Sequence, residues 1–248
     1  MTAKIIAITG ASSGIGAALA ECVAKRGHVP VLLARRRELL DQVAARSGPS
    51  ALIIPTDVTR RAEVRAAVAT TVERLGRIDV WVNNAGQGIS RLPSELTDDD
   101  IDAMVHINVA SVLYGMQEVL PHFKSRGEGH IINISSMLGR IPFAVIRSAY
   151  IGAKHFVNAL TATFRLEIQQ THPGIQVSLV SPGFVRTDFG LNAVHGGADS
   201  RQFPNSQSAE EVAEVIADVI ESRRADVYTR AGARQMVLDY YAATGEDP

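Results

Sequence analysis

Tyr150 and Lys154 stand four residues apart in YIGAK, a spacing that puts both side chains on one face of a helix. A phenol near its ordinary pKa of ~10 transfers protons poorly at neutral pH. A neighbouring ammonium favours the phenolate and draws that pKa down, at about 1.4 kcal/mol per unit. The pair can therefore act as acid and base toward an oxygen. A second stretch, TGASSGIG at 9–16, offers a seat for an anion. Gly10 permits a tight turn, Gly14 lets backbone approach a pyrophosphate, and Gly16 allows a helix to pack closely on a strand. A helix opening there presents N–H donors and partial positive charge. A third stretch, ARRR at 34–37, carries three arginines into the start of a helical pattern, where cations are disfavoured unless an anion compensates them.

These residues need elements to hold them. The runs 4–9, 29–34, 51–55, 78–83, 129–135 and 175–181 are continuously apolar, and a shorter one follows at 226–229. Unbroken apolar runs of this length mark parallel strands covered on both faces. The segments between them are amphipathic and long enough for crossover helices. In 97–123, read as one helix, Thr97 serves as N-cap and three aspartates fill the first turn. This alternation predicts an α/β fold, a doubly wound (Rossmann) parallel sheet of seven strands with helices on both faces. With no linker or composition shift, one domain is expected over 1–248. Residues 188–207 lack periodicity and are long for a connection, so they are expected to form a substrate loop.

Composition narrows the function. Hydrophobic residues make up 46% and charged residues 21%, which allows a sizeable core. A net charge of −1 gives no general attraction to nucleic acid or anionic membrane, so the arginine run is a local feature. The single Cys22 excludes an internal disulfide and is expected to be a small buried hydrophobe. No apolar run approaches the ~18–20 residues of a membrane span. The expected location is cytoplasmic, and no metal is expected.

TGASSGIG, DV at 57–58, NNAG at 83–86, Asn108 in HINVAS, NISS at 133–136, YIGAK at 150–154 and PGFVRT at 182–187 occur in that order. Together they resemble the short-chain dehydrogenases/reductases over nearly the whole chain. The resemblance implies that Tyr150 exchanges a proton with a substrate oxygen, that Lys154 also bonds the nicotinamide ribose, and that Ser136 hydrogen-bonds the reacting oxygen. Asn108 is implied to hold a water linked to Lys154; a helix-interior amide bonded to backbone is the alternative. Gly10, Ser12, Ser13, Gly14, Ile15 and Gly16 are implied to seat the cofactor phosphates. Asn84, Ala85 and Gly86 are implied to run beside the adenine ribose. Asp57 and Val58 are implied to lie at the adenine edge, though Asp57 suits an N-cap nearly as well. Pro182, Gly183, Val185 and Thr187 are placed at the nicotinamide carboxamide. Ser136 precedes Tyr150 by 14 residues, one more than is usual in the family. Leu138, Pro142, Phe143, Val145 and Phe184 fall where the family lines its substrate pocket, and each also suits ordinary core. Family members are commonly homodimers or homotetramers.

Dinucleotide folds that take NAD usually carry an acid about 20 residues past the glycines, bonding the ribose 2′-OH. Here Arg36 is 20 past Gly16, and no acid occurs between Glu21 and Glu38. A guanidinium offers a planar fork for a phosphate dianion. Arg35 and Arg36 are therefore assigned to a 2′-phosphate, Arg37 to solvent, and the cofactor to NADP(H) over NAD(H). The expected activity is interconversion of a carbonyl and an alcohol by hydride transfer. A redox-sensing regulatory protein, or a nicotinamide-assisted epimerase or dehydratase, is the alternative.

Overall fold

A computed structural model describes residues 2–245. The chain runs β1 (Ile5–Thr9), α1 (Gly14–Lys25), β2 (Val29–Ala34), α2 (Arg37–Ser47), β3 (Leu52–Pro55), α3 (Arg61–Leu75) and β4 (Val80–Asn83). It continues through α4 (Asp98–Val105), α5 (Ser111–Arg126), β5 (Gly129–Ile134), α6 (Ser148–Thr171), β6 (Ile175–Ser181), α7 (Ala209–Ser222), β7 (Asp226–Tyr228) and α8 (Ala233–Ala243). The seven strands form one sheet in the order β3-β2-β1-β4-β5-β6-β7, and every pairing is parallel.

Alternation within each strand explains the unbroken apolar runs. Ile6 and Ile8 face a layer built from α1, α2 and α7, packing with Leu19, Val23, Leu40, Val212 and Ile216. Ile5 and Ala7 face the opposite layer, with Val64, Val68, Met116, Phe123, Val157 and Phe164 of α3, α5 and α6. Both faces are covered, so neither set of alternating positions is free to be polar.

Strand order reverses between β1 and β4. The chain winds outward from β1 through β2 to β3, then returns to lay β4 on the other side of β1. The loops leaving β1 and β4 therefore diverge and open a crevice at the carboxyl ends of the strands, where ligands bind in open α/β sheets.

The segment read as one helix over 97–123 is interrupted. Thr97 does cap it, in a reciprocal capping box with Asp100. After Val105, however, His106–Ala110 forms a π-helical turn before α5 begins. There the Ser111 N–H reaches back to the His106 carbonyl, and the Ser111 hydroxyl takes up the Ile107 carbonyl at 2.6 Å. One extra residue is absorbed without disturbing the apolar stripe, which is why periodicity alone reads straight through it. Cys22 is buried in α1, and burial, with Glu214 alongside, pushes its thiol up to about 11. Among the described residues no helix is long and apolar enough to cross a membrane, and no cluster of metal-ligating side chains occurs.

Candidate active site

The crevice contains a cavity of about 620 Å³, within the range of small-molecule clefts. At one end lies the turn from β1 into α1. Gly10 and Gly14 hold left-handed backbone, φ +67° and +53°. A Cβ on Gly10 would stand 2.9 Å from Ala85 Cα, and one on Gly16 would run into the Gly10 carbonyl and come 2.6 Å from Asn84 Nδ2. The turn and the Asn84–Ala85 backbone thus lie too close for side chains. No side chain caps α1 and no acid sits in its first turn, so its N-terminal amides face the cavity with no carboxylate of the helix itself to meet them. Gly10, Ser12, Ser13, Gly14 and Ile15 line this end; Gly16 instead packs behind them.

Arg35 and Arg36 line the same end from the β2–α2 junction, both exposed. Arg36 Nη2 stands 3.5 Å from Ser12 Oγ, so the junction and the glycine turn meet. Arg37 is outside the cavity, its Nε donating to Asp41 Oδ1 at 2.9 Å. Asp57 and Val58 complete the wall. Asp57 does not cap α3, whose N-cap is Arg60; its Oδ1 accepts from the Thr59 amide and hydroxyl at 3.0 and 2.7 Å. Burial works to raise its pKa, but those two bonds and the charges of Arg35 and Arg60 hold it below the usual range.

Tyr150, Lys154 and Ser136 converge on the middle of the cavity with Asn84, Ala85 and Gly86. Tyr150 and Lys154 lie buried on α6, with Lys154 Nζ 5.7 Å from the Tyr150 ring centre. That ammonium does not point at the phenol oxygen. It donates to the Ile134 carbonyl at the end of β5, 2.9 Å away. Burial pushes Lys154 down to about 8. Burial also pushes Tyr150 up to about 12, against the Ser136 hydroxyl and the charge of Arg147. The depression of the phenol expected from a neighbouring lysine is therefore not found in the free protein: desolvation raises the phenol, and the groups that oppose it are Ser136 and Arg147. Ser136 Oγ accepts from the Leu138 N–H at 3.1 Å, which leaves its own proton to donate.

Asn108 is fully buried in the π-helical turn and does not line the cavity. Its Nδ2 donates to the carbonyls of Gln87 and Met104 at 2.9 and 3.2 Å, and its Oδ1 accepts from the Gln87 N–H at 3.2 Å. The amide is thus bonded to backbone, the alternative left open by the sequence. Gly86 lies between it and the lysine: a Cβ there would stand 2.9 Å from Asn108 Oδ1 and 3.7 Å from Lys154 Nζ.

Pro182, Gly183, Val185 and Thr187 line the far side after β6. Gln207 and Arg186 donate N–H groups to Phe184 and Gln207 in a bridge that leaves the Val185 N–H without an acceptor among the described residues. Thr187 exchanges backbone bonds with the Ser200 hydroxyl, at 3.2 and 2.8 Å. Leu138, Phe143 and Phe184 line the cavity, but Pro142 and Val145 are turned outward and do not. The extra residue between Ser136 and Tyr150 falls in a segment that includes short 3-10 turns at Met137–Gly139 and Val145–Arg147. The second turn carries Val145 to the surface. Gln87 and Arg147 also line the cavity and were not anticipated; Phe189, Asn192 and Phe203 line it from the 188–207 segment expected to form a substrate loop, though none of them was named. Phe189, in the irregular 188–207 segment, lies edge-on over Tyr150 at 5.5 Å.

Residues 4–196 match the family model of the short chain dehydrogenases. The chain belongs to that family. It is 37% identical over 186 residues to an uncharacterized oxidoreductase of Staphylococcus saprophyticus, covering 75% of each chain. Two solved structures share the fold of this short-chain dehydrogenase. One, a short chain dehydrogenase/reductase from Burkholderia phymatum in complex with NAD, superposes with a TM-score of 0.88 at 25% identity, over 99% of this chain and 97% of that one. The other, a short-chain dehydrogenase from Sphingobium yanoikuyae in complex with NADPH, gives 0.82 at 32% identity, over 97% and 94%.

Proposed function

We propose that this short-chain dehydrogenase uses NADP(H) to interconvert a carbonyl and an alcohol, with Tyr150 as the proton donor and acceptor. One observation carries this reading: Tyr150, Lys154 and Ser136 open onto the same cavity as the uncapped N-terminus of α1 and the two arginines.

The residues fit a dinucleotide. The glycine turn and α1 amides would hold the pyrophosphate, with Asn84, Ala85 and Gly86 along one ribose and Asp57 and Val58 beside the adenine. Val185, through its N–H, and Thr187 would take the carboxamide. When bound, the nicotinamide supplies or accepts the hydride. In the reducing direction Tyr150, held protonated by burial, gives its proton to the substrate oxygen as charge develops there. Ser136 donates a second hydrogen bond to that oxygen, its acceptor side already taken by Leu138. Lys154 is seated between the Ile134 carbonyl and the Tyr150 ring, where its positive charge favours the phenolate left behind. Asn108 fixes the Gln87 backbone that borders this group.

The preference for NADP(H) rests on Arg35 and Arg36, since relatives of the fold were solved with either cofactor. Neither guanidinium is ion-paired with a carboxylate among the described residues, whereas Arg37 is. Titration with NADPH and NADH tests it: NADPH is expected to bind at least tenfold more tightly, and equal affinities would defeat the assignment. Consumption of NADPH on a carbonyl panel tests the activity itself.

A further inference from the structure

Arg147 is the N-cap residue of α6, three residues ahead of Tyr150, and it lines the same cavity. It is half-buried, yet among the described residues the one protein acceptor on its guanidinium is the Ile89 carbonyl, 3.1 Å from Nη1. Among the described residues no carboxylate pairs with it, and burial pushes its pKa below the usual guanidinium range. Other arginines of comparable burial are better provided for. Arg165 donates to two carbonyls, Val177 and Ala225, at 2.5 and 2.6 Å, and Arg126 is paired with Asp79 and Glu128. A partly desolvated cation with most of its five donors unused is costly unless an anion arrives to meet it.

The surroundings hold this guanidinium in place beside the reacting group. A Cβ on Gly88 would stand 2.5 Å from Arg147 Nη1 and 3.0 Å from Phe189 Cε1. The absence of a side chain at Gly88 therefore makes room for both. Since Phe189 lies edge-on over Tyr150, the guanidinium, Phe189 and the Tyr150 ring form one wall. With Nη1 tied to Ile89, the Nε and Nη2 edge remains as a planar fork, the geometry that matches a carboxylate. Further lining residues are aromatic: Phe184 contacts Phe143 at 6.2 Å and Phe203 at 4.8 Å between ring centres, and all three rings are partly exposed.

We propose that Arg147 is a specificity-determining residue, and that the preferred substrate is an oxo acid whose carboxylate pairs with Arg147 while an apolar group lies on Phe143, Phe184 and Phe203. This rests on the carbonyl–alcohol reading of the site.

The test is steady-state reduction, with NADPH, of aryl oxo acids whose carboxylate lies one, two or three carbons from the ketone, each beside its methyl ester. Wild-type protein is expected to favour at least one acid over its ester by about tenfold or more in kcat/KM. In Arg147→Gln that acid-to-ester ratio is expected to fall by about 10- to 100-fold, mainly through KM, because a charge-assisted bond is lost. Arg147→Lys is expected to keep part of the preference. If Arg147 merely braced the Ile89 backbone, acid and ester would fall in step and the ratio would not move. That result, or a wild type indifferent to esterification, overturns the inference and leaves the oxidoreductase reading standing. The latter falls separately, on the absence of nicotinamide turnover with every carbonyl tried, and takes this inference with it.

Discussion

Tyr150 and Lys154 are pushed from their ordinary proton affinities in opposite directions by one cause, desolvation, and each ends closer to neutral. A phenol held at about 12 remains an acid at every working pH, which suits reduction. Tyr150→Phe keeps the ring and its packing on Phe189 but removes the proton. Turnover is expected to drop by about 10²–10⁴-fold while NADPH affinity stays within severalfold, and near-wild-type activity would defeat the mechanism. Lys154 has a consequence for stability. Its folded pKa of about 8 lies below the ~10.4 of an unfolded lysine, so below pH 8 the fold carries the full cost of a buried ammonium. Between about 8 and 10.4 the unfolded chain binds the extra proton, stability rises with pH, and above that the cost is gone. Lys154→Met should therefore be more stable than wild type at pH 7 by about 1–3 kcal/mol and unfold at a higher temperature, with the advantage shrinking toward pH 10. Thermal scans at both pH values check this; a constant difference would mean that the charge is not its source. The four-residue spacing placed both groups on one face, but could not show where the ammonium points. That is decided by a carbonyl on β5, 20 residues away in sequence.

At the scale of elements, the sequence disclosed most where burial constrained it most. The inner strands β1, β2, β4, β5 and β6 were legible because burial leaves them almost no polar position, the partly covered edge strands β3 and β7 as shorter apolar runs, and α7 because its apolar stripe is regular. The π-helical turn was not, since the one added residue leaves the apolar stripe continuous. Pro142 and Val145 were placed in the pocket by resemblance, and a short 3-10 turn carried Val145 out. The β2–α2 junction shows the opposite case, where a charge pattern was readable because it looked unfavourable. A cationic residue at the N-cap of α2 is disfavoured by the helix dipole, and Arg36 holds that position with no side-chain capping bond. If a 2′-phosphate is the missing partner, replacing both Arg35 and Arg36 with Ala should weaken NADPH binding by about 10- to 100-fold and NADH binding far less. Isothermal titration with both cofactors reads this ratio. A proportionate loss of both would move the arginines from phosphate recognition to general support of the junction.

Across the whole molecule, the 188–207 segment is irregular, as its lack of periodicity foretold, but it is not loosely attached. The Val194 N–H donates to the Gly88 carbonyl and the Ser90 N–H to the Val194 carbonyl, tying the segment to the loop after β4. Farther along, His195 Nε2 meets Asp100 Oδ1 at 2.7 Å, while Arg91 Nη1 donates to Asp100 Oδ2 at 2.8 Å. Asp100 is 95 residues from His195 and also completes the cap of α4, so one buried carboxylate joins the helix, the loop after β4 and the segment over Tyr150. Arg91 first, with the Thr97 amide and His195, holds that carboxyl well below the usual range. No local pattern could have revealed this junction, because its members are brought together only by the sheet order. Phe189 lies over the phenol at one end of this segment, and His195, at φ +63°, anchors its middle to Asp100. Releasing the anchor should loosen the cover while leaving the acid–base group intact. His195→Ala is therefore expected to be cleaved faster within 188–207 in limited proteolysis and to raise KM several-fold, with a smaller change in kcat. Asp100→Asn should add a loss of thermal stability, because it also weakens the α4 cap. If His195→Ala alters neither cleavage nor KM, the bonds to Gly88 and Ser90 hold the cover by themselves, and the carboxylate serves only the helix and Arg91.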